Sequence, residues 1–76
     1  MKIDNLNGRW IRTRKYDKKL RFHFYYNLDL NLRALIDVED ANIVVSVHDI
    51  KSKEILYIID KHEEGLKKLR KRGAID

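Results

Sequence analysis

The side chains able to do chemistry in this chain are few and scattered. Histidine stands at 23, 48 and 62, serine at 46 and 52, glycine at 8, 65 and 73, and there is no cysteine or proline. The run His62-Glu63-Glu64-Gly65-Leu66 begins like a zinc-protease HExxH motif but carries Leu66 where the second histidine ligand must stand. His48-Asp49 is at most half of a metal site, and an ordinary hydrogen-bonded pair at a strand end is the plainer account of it. Without cysteine there is no thiolate nucleophile, zinc-thiolate cage or disulfide. Three isolated glycines make no phosphate loop. The expectation is a protein without catalytic residues, metal or cofactor, whose function is binding.

Binding chemistry concentrates near the start. If Asp17-Lys18 is a two-residue hairpin turn, Trp10, Arg12, Arg14 and Tyr16 share a face with Lys19, Arg21, His23 and Tyr25. The opposite face holds Ile11, Thr13, Lys15, Leu20, Phe22 and Phe24 and reads as mostly core. Basic groups neutralise phosphates with release of counterions, and exposed rings stack on unpaired bases. On this reading Arg12, Arg14, Lys19 and Arg21 grip phosphates while Trp10 and Tyr25 stack. Lys68 and Arg72, within the basic run 67–72, form a second phosphate-contacting arm. The plainer alternatives are a solvated basic face that blocks edge-to-edge pairing, with Trp10 in the core, and a terminal run that merely complements a helix dipole. Arg14 opposite Arg21 would also repel, which argues against that register.

The elements that hold these residues follow from periodicity. Every even position from 20 to 38 is apolar, whereas only Tyr25 and Leu35 are apolar among the odd ones. Alternation of this kind specifies extended chain. It is too long for one strand, so a bend or turn is predicted near 27–31, with a short helix over 29–36 as the alternative. A basic hairpin over 9–26 and an apolar hairpin over 43–60 are joined to a basic helix over 61–72. In the second hairpin, pairing Asp49 with Glu54 places Ile43, Val45 and Val47 with Leu56 and Ile58. Val44, Ser46 and His48 then share a face with Ile55, Tyr57 and Ile59. Both faces are apolar, which predicts cover by a helix or a second subunit. Asp60 with Glu63 has capping-box spacing, and Gly73 suits a helix stop. The predicted fold is one small α+β domain over 1–76, an antiparallel sheet of four or five strands with one C-terminal helix.

Charge is placed unevenly. Of 76 residues, 17 are Lys or Arg and 12 Asp or Glu, net +5. Residues 1–33 carry net +6, residues 34–60 net −4 and residues 61–76 net +3. The longest apolar run, Ile55 to Ile59, is five residues against the roughly 20 of a membrane span, and Met1 to Gly8 has no signal-peptide core. A cytoplasmic chain with no membrane partner is expected. Its partner is nucleic acid, single-stranded in preference, or a protein such as the host target of a small phage- or virus-type regulator. A chain this short with an apolar hairpin is also expected to form a homodimer or other homo-oligomer through that hairpin.

Val45, Val47, Asp49, Glu54, Ile55, Leu56 and Ile59 follow the pattern V-x-V-x-D-x-x-T-G-E-V-I-x-x-I-P, with Glu63 near an acidic helix start. In these residues the second hairpin resembles the C-terminal hairpin of the flagellar FlaG family. Ser52-Lys53 replaces Thr-Gly, Asp60 replaces Pro, and Tyr57 stands where Arg is common. The resemblance covers about a third of the chain. It implies a flagellum-associated accessory protein without enzymatic activity.

Overall fold

The structure is a computed structural model that describes the chain from Met1 to Asp76 apart from Leu20 and Ala41; the side chains of Arg14, Lys15, Tyr16 and Asp17 are also outside the description. Five strands follow one another, β1 (Trp10–Asp17), β2 (Phe22–Asn27), β3 (Leu32–Asp37), β4 (Val44–Asp49) and β5 (Ile55–Ile58). They form one antiparallel sheet in that same order, so β1 and β5 are its edges. A 3-10 turn at Ile59–Lys61 leads into α1 (His62–Lys71), and another lies at Ile3–Asn5. The α+β architecture with a single C-terminal helix is as the sequence predicts. The 29–36 segment is not helix: residues 29–31 are turn and β3 begins at Leu32. Among the described residues no helix is long and apolar enough to cross a membrane.

The long alternation of apolar residues serves both faces of the sheet. The loop between β2 and β3 joins Asn27 to Leu32 as a directly opposed pair, so odd positions of β2 share a face with even positions of β3. Leu32, Ala34 and Ile36 therefore point one way, together with Val44, Val47 and Tyr57, and all six are buried. Phe22, Phe24 and Tyr26 point the other way. Asn27, fully buried, holds this turn: its Oδ1 accepts from the Asp29 and Leu30 amides at 3.0 Å, and its amide donates to the Asn7 carbonyl.

Helix α1 covers the first of these faces. Leu69, the tail residues Ala74 and Ile75, and Leu6 complete the core there. The glycine within α1 is required by close packing: a Cβ on Gly65 would lie 2.4 Å from the Tyr57 Cα and 2.7 Å from the Leu56 carbonyl oxygen. The helix ends as predicted at Gly73, with φ of 79° and the Ala74 amide donating to the Leu69 carbonyl at 2.9 Å. Its start differs from the capping box read from Asp60 and Glu63. The 3-10 turn occupies Asp60, and no side chain caps the helix N-terminus.

Both hairpin registers depart from expectation. Asp17 pairs with Phe22 across a four-residue connection, and β1 bulges between Arg12 and Tyr16. The predicted two-residue turn is thus absent, and Arg14 does not oppose Arg21. In the second hairpin Asp49 does meet Glu54, through a 2.9 Å backbone bond, and His48 opposes Ile55. A bulge at Leu56 then shifts the pairing by one, so Val47 meets Tyr57 and Ser46 meets Ile58. This exchanges the faces predicted for Tyr57 and Ile58, and it brings the large phenol under the helix.

Gly65→Ala is expected to destabilise the fold by about 2 kcal/mol, because the intruding methyl meets backbone that cannot rotate away. A lower urea midpoint with an unchanged denaturant slope is the result to look for, and an unchanged midpoint would contradict this packing.

Candidate functional site

The eight residues singled out for nucleic-acid contact do not come together as one surface. Trp10, Arg12 and Tyr25 do share a face, with Arg12 directly opposite Tyr25, but it is the face that carries the core. Trp10 and Tyr25 are half-buried against that core, and the Trp10 indole donates to the Asn7 carbonyl at 3.0 Å. Arg12 is exposed, its Nη2 lying 3.1 Å from both ring nitrogens of His23. The Arg14 side chain lies outside the described residues. Lys19 and Arg21 are exposed in the connection before β2, where Arg21 pairs with Glu39 at 2.7 Å.

Lys68 and Arg72 have internal work. Lys68 binds Glu54 at 2.6 Å, and Arg72 binds the Asp49 carboxylate. These side chains, one helical turn apart, clamp the end of α1 onto the turn of the second hairpin. Asp49 is 7% exposed and also accepts the Lys51 and Ser52 amides at 2.9 and 2.8 Å. The Ser52 amide, and next the Arg72 guanidinium, hold its carboxyl down at about 2. Lys68 likewise holds the Glu54 carboxyl below the usual range.

The opposite face of the sheet was read from sequence as core, yet none of the described elements lies over it. One row across it runs Ile11, Tyr26, Arg33, His48 and Ile55, each directly opposite the next. The adjacent row contains Phe24, Leu35, Ser46 and Ile58, with Phe22 beyond. Ile11 and Ile55 are each 50% exposed. Arg33 stands centrally, its guanidinium carbon 5.8 Å from the centre of the Phe24 ring. It makes no ion pair among the described residues, and its buried Nε has no hydrogen-bond partner. On this face Asp37, opposite Phe22, turns its Oδ1 to the amides of Glu39 and Asp40 at 2.7 and 3.2 Å, and Asp17 pairs with Phe22 from β1 with its side chain outside the description.

His48 flanks Arg33 and is hydrogen-bonded through Nε2 to the Ser46 hydroxyl at 2.9 Å. Burial, and then the Arg33 charge, hold its imidazole below the usual histidine range. Ser46 is only 4% exposed, so its hydroxyl orients the ring and is poorly placed to attack a substrate. His48 and Asp49, adjacent in sequence, point to opposite faces and form no joint metal site. Among the described residues no group of three His, Cys, Asp or Glu side chains could hold a metal ion.

Aromatic faces around a guanidinium that makes no ion pair among the described residues suit a planar and anionic partner. Sequence reasoning missed this surface because the Phe22, Phe24, Tyr26 alternation looks like any core strand. The clue available was quantitative, since one thin helix cannot cover two apolar faces. No protein-family model, curated protein or solved structure matches the chain.

The depressed Asp49 carboxyl fixes a sign for stability against pH. Its pKa is lower folded than unfolded, so its contribution is complete above the ordinary value of 3.8 and is lost as pH falls towards about 2. The urea midpoint should drop across that interval in the native chain and drop less in Asp49→Asn. Equal falls in both would show that the Asp49–Arg72 clamp is not formed.

Proposed function

We propose that this protein binds single-stranded nucleic acid across the uncovered face of its sheet, with Phe24 and Tyr26 stacking bases and Arg33 contacting the backbone. The observation that carries the reading is Arg33, a half-buried cation with no ion pair among the described residues, set among aromatic rings. A guanidinium gives up much of its hydration in such a place, and a phosphate restores the lost interactions with two parallel hydrogen bonds. Rings half-exposed on a sheet, as Phe24 and Tyr26 are, offer an unpaired base a surface to stack on, each worth about 1–3 kcal/mol. A duplex keeps its bases stacked on one another, which favours the single strand. The net charge of +5 supports approach to a polyanion. On this reading Arg12, Lys19 and Arg21 lie outside the stacking face and supply long-range attraction.

Titration of a labelled single-stranded 12-mer at two salt concentrations tests the assignment. Phe24→Leu, which keeps apolar volume but removes the ring, should weaken binding about tenfold, the equivalent of roughly 1.4 kcal/mol. Arg33→Met should weaken it at least as much and flatten the logarithmic salt dependence by about 0.7 for each phosphate that is no longer neutralised. Arg12→Ala, on the other face, should change affinity less than about threefold. Equal losses from Arg12→Ala and Phe24→Leu would place the binding elsewhere.

A second reading is association of the same face with a protein, and the half-exposed Ile11 and Ile55 favour it. Face-to-face pairing of two copies would bring two Arg33 cations into one interface, so a different protein suits the face better than a second copy. Light scattering across a hundredfold concentration range tests the second-copy alternative. A mass that stays at one chain excludes self-association, and a dimer whose formation masks oligonucleotide binding would replace the nucleic-acid reading.

A further inference from the structure

We propose that Arg33, His48 and Ser46 form a phosphate seat in which His48 binds as the protonated imidazolium, so that this face grips phosphate more tightly as pH falls. The proposal rests on the nucleic-acid reading for its ligand and adds the group that seats it. Arg33 and His48 are directly opposite one another on adjacent strands, which sets their Cβ atoms about 5 Å apart. That spacing lets one phosphate touch both side chains.

Ser46 decides which ring atom is available. Its hydroxyl holds Nε2 of His48 at 2.9 Å, leaving Nδ1 as the nitrogen free to meet a ligand. When the ring is charged, both nitrogens donate: Nε2 to the serine oxygen and Nδ1 to a phosphate oxygen. The Nε of Arg33 is buried without a hydrogen-bond partner, so the guanidinium is not held by an internal acceptor at that atom.

The groups around His48 explain why the proton arrives with the ligand. On its own strand the same-face neighbour is Ser46, which is neutral. Across β3 it meets Arg33, and across β5 it meets Ile55. Asp49 and Glu54 are the nearest acids in sequence, and both are engaged by Arg72 and Lys68. In the free protein the imidazole thus faces a like charge and partial burial, which keep it neutral near pH 7. A phosphate reverses that balance by placing negative charge beside both cationic groups. By linkage, a ligand that favours the protonated ring is bound more tightly wherever the free ring is unprotonated and the pH is lowered.

Two probes separate the seat from the larger reading. The His48 ring signals are followed by NMR from pH 5 to 8, alone, with inorganic phosphate and with a single-stranded 12-mer of thymidines. The expected result is an upward move of the His48 titration by about one pH unit with either probe. Binding of the 12-mer should tighten about tenfold between pH 7.5 and 5.5 at constant ionic strength. His48→Gln should remove most of that gain. A response to inorganic phosphate without oligonucleotide binding would keep the seat and overturn the nucleic-acid reading. Oligonucleotide binding with an unmoved His48 titration, or with the same pH gain in His48→Gln, would overturn the seat alone. No response to either probe overturns both.

Discussion

Five strands must share one helix, and that constraint organises the molecule. Neighbouring strands sit roughly 4.8 Å apart, so the outer strands of this sheet are separated by about 19 Å. A helix of 10 residues is about 15 Å long and about 10 Å wide. It covers part of one face and nothing of the other. The chain extends that cover with Leu6 from the N-terminal segment and with Ala74 and Ile75 from the tail, all buried on the helix side. Even so, α1 must lie very close to β5 to seal the core, and Gly65 is the residue that permits the approach. Charge then fixes the helix end, since Lys68 and Arg72 reach back to the turn that carries Asp49 and Glu54.

Two consequences follow for function. Basic residues of the helix, which resemble a phosphate-binding arm when viewed as a string, are partly consumed in holding the fold together. The uncovered face becomes the chemically interesting one, because it keeps aromatic rings and an arginine that has no carboxylate partner among the described residues. The bulge at Leu56 contributes here too. By turning Tyr57 under the helix, it leaves Ser46 beside Ile58, so the buried serine can orient His48.

Much of the fold was legible from local rules. The period of two announced extended chain from 20 to 38, and the Asn27 to Asn31 stretch broke it where a turn was needed. The Asp49–Glu54 pairing and the Gly73 stop were readable because turns and helix ends are set by a few neighbouring residues. Charge segmentation along the sequence sets a basic start against an acidic middle. The site was legible only in its residue types. The rings chosen for stacking from the sequence, Trp10 and Tyr25, prove to be half-buried against the core.

What the sequence determined by itself was therefore local: five extended segments, one basic helix, and alternation along each strand. Alternation states that two sets of side chains face opposite ways, and it does not state which set will be covered. That choice depends on loop length and bulges, because a change of one residue in pairing turns a strand's neighbours over. It also depends on where α1 docks, which requires Gly65 to meet Tyr57 across the chain. Only the tertiary structure decided that Leu32, Ala34 and Ile36 would be core, and that Phe24, Tyr26 and Arg33 would remain at the surface.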